Sequence, residues 1–275
     1  MIKSVFLSVK MKTTKLPDGT RVYALRAPEA RMLDHHVDGY LQNGIEINDG
    51  DVVFDVGANI GVFSVRAAQK GPNVRVFAFE PIPDILEALR LNAAEAGENR
   101  VKVLPCGVSN VESEATFTYF PNTPALSTLH PEQWDKDPKA FSRAVKGTMK
   151  NPPAGMSWMK FIPPVFSGII ASFLVKGKKQ VHCKLRTLSS VIAEHNVEKI
   201  DLLKIDCEGA EWQVLQGIEA NDWSKIKSMV IEVHNVNGRL AEVEALLREK
   251  GFTKIVDERE KGLEDTVMHN IFAIR

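Results

Sequence analysis

The chain has 275 residues and 44% apolar side chains, enough for one sizeable core without a second domain. Lys plus Arg and Asp plus Glu number 35 each, so no basic excess draws in a polyphosphate backbone, and nucleic acid is not an expected partner. Cys106, Cys183 and Cys207 are far apart and form no CxxC pair, which disfavours a zinc cluster or disulfide framework and fits a reducing compartment. The first ten residues hold too short an apolar run for a signal peptide. The most apolar stretch, 161–175, contains Pro163 and Pro164 and is shorter than the roughly 20 residues of a membrane-spanning helix. A cytoplasmic protein with no transmembrane segment is expected.

Residues 1–50 read as an N-terminal cap. Pro17-Asp-Gly-Thr20 marks a turn between two β-prone runs, and a helix is predicted over 29–43, closed by Gly44. Residues 51–275 then read as one catalytic domain. The nearly continuous apolar run 51–56 predicts a strand buried on both faces. A helix over 61–70, a strand over 75–79, a helix over 83–96 and a strand over 100–104 follow, an alternation that implies parallel βαβ units. Residues 115–120 alternate and predict an added strand. Residues 121–179 are irregular, with scattered prolines and glycines, and read as an insertion of partial helix. It serves either as a lid or substrate-binding segment over the active site, or simply as a satellite core. The pattern resumes with helices over 188–195, 210–218 and 239–250 between strands at 200–205 and 227–233. Strands at 252–256 and 270–274 close the chain as an antiparallel hairpin.

The chemistry gathers at predicted strand ends. Asp55, Gly57 and Gly61 form DxGxxxG at the first strand–helix turn. Gly57 permits a sharp turn, and Gly61 permits close backbone approach. A dinucleotide site would show GxGxxG aimed at a pyrophosphate; here Ala58-Asn59 replaces the central glycine. An acid at Asp55 suits a cationic ligand such as an ammonium or sulfonium. Glu80 ends the second strand about twenty residues on, where an acid binds the hydroxyls of a ribose. Cys106 and Gly107, after the third strand, are placed to border an adenine. Asp206, Glu208 and Glu211 cluster at the turn after strand 200–205, with Asp206 expected to face the reactive end of a cofactor. Glu208 or Glu211 could instead hold substrate, cap the helix or remain solvated. Glu232 and His234 share one face of the next strand by alternation, and His234 is a candidate general base. Asp206, Glu208 and His234 could also ligate a divalent ion by residue type, but the preferred reading contains no metal.

Together these blocks resemble the FkbM family of methyltransferases: DVVFDVGANIGVFS (51–64), FAFEPIP (77–83), LPCGVSN (104–110), KIDCEGAEWQVLQGI (204–218) and IEVHN (231–235). The resemblance implies a Rossmann-like class I methyltransferase fold, α/β, with a mostly parallel seven-stranded sheet ending in an antiparallel hairpin. It implies S-adenosylmethionine as cofactor and O-methylation of a small-molecule hydroxyl in a polyketide, nonribosomal peptide or saccharide. The acceptor would be free or carrier-protein-bound. Asp55, Gly57, Asn59, Gly61 and Glu80 match the family's cofactor positions, and Asp206 and Glu208 its second block. Catalytic work is assigned to His234, Asp206 and Glu208, and cofactor binding to Asp55, Gly57, Asn59, Gly61, Glu80, Cys106, Gly107 and Asp206. Two rival functions are a nicotinamide-dependent oxidoreductase and a non-catalytic cofactor-binding interaction module.

Overall fold

The computed structural model describes residues 11–97, 99–131, 140–150, 152, 157–259 and 267–275. A seven-stranded sheet forms its centre. In chain order its strands are β3 (Val52–Val56), β4 (Arg75–Phe79), β5 (Val101–Leu104), β9 (Ile200–Ile205), β10 (Ile226–His234), β11 (Lys254–Glu258) and β12 (Met268–Ile274). Their spatial order is β11-β12-β10-β9-β3-β4-β5. All neighbouring pairs are parallel except those of β12, which runs antiparallel between β10 and β11. The expected C-terminal hairpin is therefore present, with its last strand slotted inward.

Strand alternation divides the core between the two faces. Val53, Ala78, Leu202, Val230 and Phe272 pack on one side, under α1 (Ala27–Tyr40), α2 (Val62–Gln69) and α3 (Pro83–Ala96). Phe54, Phe77, Phe79, Leu203 and Ile231 pack on the other, under α6 (Leu188–Glu194), α7 (Glu211–Gln216) and α8 (Arg239–Glu249). Every residue of β3 and β9 is buried, as central parallel strands require. The order reverses between β3 and β9, the place where open α/β sheets bind ligands.

The N-terminal segment contributes the expected hairpin, β1 (Lys12–Lys15) with β2 (Arg21–Ala24). A second sheet of three strands, in the order β6-β8-β7, uses β6 (Gly107–Val108), β7 (Ser113–Tyr119) and β8 (Lys179–Arg186). Strand β8 was not anticipated. It pairs antiparallel with β7 from Tyr119↔Lys179 to Ser113↔Leu185, so the intervening insertion hangs from two bonded strands. The described part of that insertion holds a 3₁₀ turn at Pro124–Leu126, α4 (Ala140–Lys150), 3₁₀ turns at Ser157–Phe161 and Pro164–Phe166, and α5 (Ser167–Leu174). Val145, Met149, Met159 and Ala171 make a small core of their own there.

Phe54 is fully buried, with its ring 4.8 Å from that of Phe77 and 5.6 Å from that of Phe79. Replacing it with alanine should cost about 3–5 kcal/mol, read as a lower urea midpoint at unchanged slope.

Candidate active site

Two strand ends are bound to each other by a buried cation. Lys204 on β9 lies opposite Asp55 on β3 in the parallel register. Its Nζ donates to Asp55 Oδ1 (3.0 Å) and to the Gly57 carbonyl (3.1 Å), and lies 3.7 Å from Asp206 Oδ2. The ammonium also sits 5.4 Å from the ring centroid of Tyr40 and 5.7 Å from that of Phe63. Burial disfavours its charge, but Asp55 and Asp206 outweigh that cost and hold its pKa above the usual lysine value. Asp55 completes its shell by accepting the Ser64 hydroxyl at 2.6 Å. It is wholly buried, so the cation it answers is internal rather than the expected ligand. A carboxylate at that depth needs a permanent partner, and β9 supplies one.

The turn after β3 is set by contacts to the turn after β9. Gly57 has φ +77°, and a Cβ there would fall 1.7 Å from the Asp206 carbonyl oxygen. Gly61 caps α2 at φ +82°, where a Cβ would meet Leu89 Cδ1 at 2.4 Å. Its role here is helix packing, away from the wall of the hollow. Asn59 has φ +50°, and its amide donates to Glu80 Oε2 at 3.1 Å; Ile82 N donates to Glu80 Oε1 at 2.8 Å. Burial pushes the Glu80 carboxyl up to about 7, against these two amide donors.

An open hollow of about 600 Å³, counting solvent at its mouth, lies beyond these turns. Gly57, Asn59, Glu80, Gly107, Asp206 and Glu208 line it, so the structure gathers six of the expected residues around one space. Val56, Phe79, Ile82 and Val108 give it an apolar side, and Pro124, Ala125, Ser127 and Leu129 of the insertion form another part of its wall. Cys106 stays in the core beneath it, with burial raising its thiol to about 11.

The turn Asp206-Cys207-Glu208-Gly209 carries strain. Glu208 takes φ +54° and Gly209 φ +100°. The Thr128 hydroxyl donates to the Glu208 carbonyl at 2.6 Å, tying the insertion to this turn. Tyr40 of α1 donates to Asp206 Oδ2 at 2.8 Å. Behind the turn, His234 Nδ1 lies 3.3 Å from Glu211 Oε1 and Nε2 lies 3.6 Å from Glu208 Oε2. Glu211 Oε1 also accepts Gly209 N at 2.7 Å. Burial opposes a charged imidazole, but Glu211 and then Glu208 and Glu232 raise His234 to about 10. Burial, with Asp206 and Glu211, raises Glu208, while His234 pulls it down. His234 thus stands behind Glu208 rather than on the wall and holds its proton at neutral pH, which corrects its assignment as general base. Carboxylate oxygens of Asp206, Glu208 and Glu232 lie within 4.8 Å of one another, flanked by the two cations Lys204 and His234.

The sequence reading missed two contributors. Tyr40 arrives from outside the motifs, and nothing in its spacing announces it. Lys204 was legible, since a lone cation in the apolar strand Ile-Asp-Leu-Leu-Lys-Ile must find an anion on a neighbour.

The chain matches known methyltransferases in sequence and in fold. The Methyltransferase FkbM domain family matches residues 55–254. The chain is 36% identical over 98% of its length to the 31-O-demethyl-FK506 methyltransferase FkbM of Streptomyces tacrolimicus, covering 99% of that protein. It is also 36% identical to methyltransferase sdnD of Sordaria araneosa, over 76% of each chain. Among solved structures, a methyltransferase FkbM from Methylobacillus flagellatus KT shares the fold at a TM-score of 0.51 and 14% identity, over 87% of this chain and 47% of that one. The protein belongs to the FkbM family of S-adenosylmethionine-dependent methyltransferases.

Two tests follow from the site's electrostatics. Lys204→Met leaves Asp55 buried without a counter-charge and should cost about 3–5 kcal/mol in chemical denaturation. Glu80 keeps its proton to higher pH when folded, so its burial costs nothing below its ordinary pKa of 4.5 and progressively more up to about 7. Ligand-free Glu80→Gln should therefore gain on the wild type across that window, by up to about 3 kcal/mol, in urea melts at stepped pH. A constant difference would contradict the burial argument.

Proposed function

We propose that the protein is an S-adenosylmethionine-dependent O-methyltransferase acting on a small-molecule hydroxyl. The observation that carries this reading is the pairing of Glu80 with Asp206 and Glu208 on one hollow at the carboxyl ends of β3, β4 and β9. The residues fit the cofactor. Glu80 presents a buried two-oxygen acceptor for ribose hydroxyls, and Phe79, Ile82 and Val108 offer an apolar seat for adenine. The acids at Asp206 and Glu208 favour a cationic group. A residue larger than glycine at position 57 would strike the Asp206 carbonyl and force apart the two turns that form the hollow.

When bound, S-adenosylmethionine would supply an electrophilic sulfonium methyl for the substrate oxygen, with S-adenosylhomocysteine leaving with the S–C electron pair. The protein's own share is alignment, exclusion of water and removal of the hydroxyl proton. Glu208 is the base in this account: it lines the hollow, its carboxyl is raised by burial, and the strained turn fixes its direction. His234, charged and held by Glu211, positions Glu208 from behind. Residues 124–129 act as part of a lid, carried by the Thr128 bond to the Glu208 turn. Support for an oxygen acceptor comes from the relative named a 31-O-demethyl-FK506 methyltransferase. The acceptor class is a polyketide, nonribosomal peptide or saccharide alcohol, free or on a carrier.

Methyl-labelled cofactor incubated with panels of such alcohols should yield a base-stable methyl ether. Glu80→Gln should weaken S-adenosylhomocysteine binding at least roughly tenfold by calorimetry, through the loss of charge-assisted bonds to the ribose. Glu208→Gln should lower kcat roughly 10²–10⁴-fold with cofactor affinity nearly unchanged. His234→Asn should lower kcat less and shift the ascending limb of the pH–rate profile to higher pH, because Glu208 loses the positive charge that pulls its carboxyl down. Full turnover by Glu208→Gln contradicts its role as base.

A further inference from the structure

We propose that the face built by residues 157–179 docks on an anionic membrane surface. The insertion's small core uses only one side of its elements. In α5, Ser167 and Ala171 turn inward, while Ile169 (67% exposed) and Phe173 (59%) face solvent with the preceding Phe166. Phe161 (87%), Val165 (79%) and Trp158 (57%) extend the exposed apolar set. A short helix that is apolar on both its inner and outer sides, next to an exposed tryptophan and phenylalanines, is not the surface of an ordinary soluble domain. No helix among the described residues is long and apolar enough to cross a membrane, so the contact is peripheral.

Charge selects the occupant. The chain as a whole is neutral, yet residues 140–193 contain nine Lys and Arg and no Asp or Glu. Lys160, Lys176 and Lys178 lie among the apolar side chains and are exposed. On α4, Arg143, Lys146 and Lys150 are exposed at helical spacing on one stripe. Apolar side chains to enter the interface, interspersed along the chain with exposed lysines, suit anionic lipid headgroups. A second copy of this chain would bring the same positive charge against itself, which disfavours self-association through this face.

The face is tied to the rim of the hollow. Asn122 Nδ2 donates to the Phe173 carbonyl at 3.0 Å and the Lys176 carbonyl at 3.1 Å, two residues before Pro124 on the hollow's wall. Docking therefore sets the mouth of the site beside the membrane; its use for an amphiphilic acceptor rests on the methyltransferase reading above, whereas docking itself does not.

The test is co-sedimentation of the full chain with vesicles of phosphatidylcholine alone or with one-third phosphatidylserine. Binding to the anionic vesicles, weakening as salt rises, is expected. Phe161→Asp with Phe173→Asp should reduce it at least roughly tenfold, as should Lys160→Glu with Lys176→Glu and Lys178→Glu. All five positions are exposed, and S-adenosylhomocysteine affinity, measured in parallel, should stay at the wild-type value in both variants. Loss of cofactor binding in the wild type would count against the functional reading and leave docking to the vesicles alone. Absence of anionic-vesicle binding at low salt, binding indifferent to the Phe changes, or a wild-type dimer that Phe161→Asp dissociates would each overturn the proposal.

Discussion

The ammonium of Lys204 is the contact on which the site's architecture depends. It joins β9 to β3 through Asp55 and the Gly57 carbonyl and reaches toward Asp206 beyond the strand end. A cation buried this deeply is tolerable only with its partners in place, so the two strand ends are locked in register. That lock brings the Gly57 backbone against the Asp206 carbonyl, where only glycine fits. With the two turns so pressed together, Glu80 from β4 and Asp206 and Glu208 from the β9 turn come to share one hollow.

The hollow is assembled at a cost. Glu80 and Glu208 are carboxyls whose ionisation the fold resists, and Glu208 also occupies a left-handed backbone conformation. Groups in this condition gain when a ligand brings hydroxyl donors or positive charge, which is the complement a nucleoside bearing a sulfonium provides. His234 and Glu211 pay part of that cost from behind, one as a charged partner and the other as its anchor on Gly209.

The sequence made the parallel core legible because buried strands such as Val52–Val56 leave a continuous apolar mark, and the glycine turn follows directly. Position along the chain also put Glu80 at the end of β4 and Asp206 and Glu208 at the end of β9, the two strands that flank β3. Strand β8 carries the period-two mark, since Val181, Cys183 and Leu185 alternate with exposed His182 and Lys184, but the run borders an irregular insertion that masks its start. Tyr40 reaches Asp206 through tertiary packing alone. Asp55 and His234 were placed correctly on their strands, but their partners were not readable: Asp55 meets Lys204 rather than a ligand, and His234 is enclosed by two glutamates that keep it charged.

The insertion links these levels, since Thr128 bonds the Glu208 turn and Pro124 to Leu129 wall the hollow. The most direct measurement is a crystal structure with S-adenosylhomocysteine. The account requires both ribose hydroxyls on Glu80, the adenine against Phe79 and Val108, and the sulfur facing Asp206 and Glu208. A nucleoside bound elsewhere, or one whose ribose leaves Glu80 untouched, would contradict it.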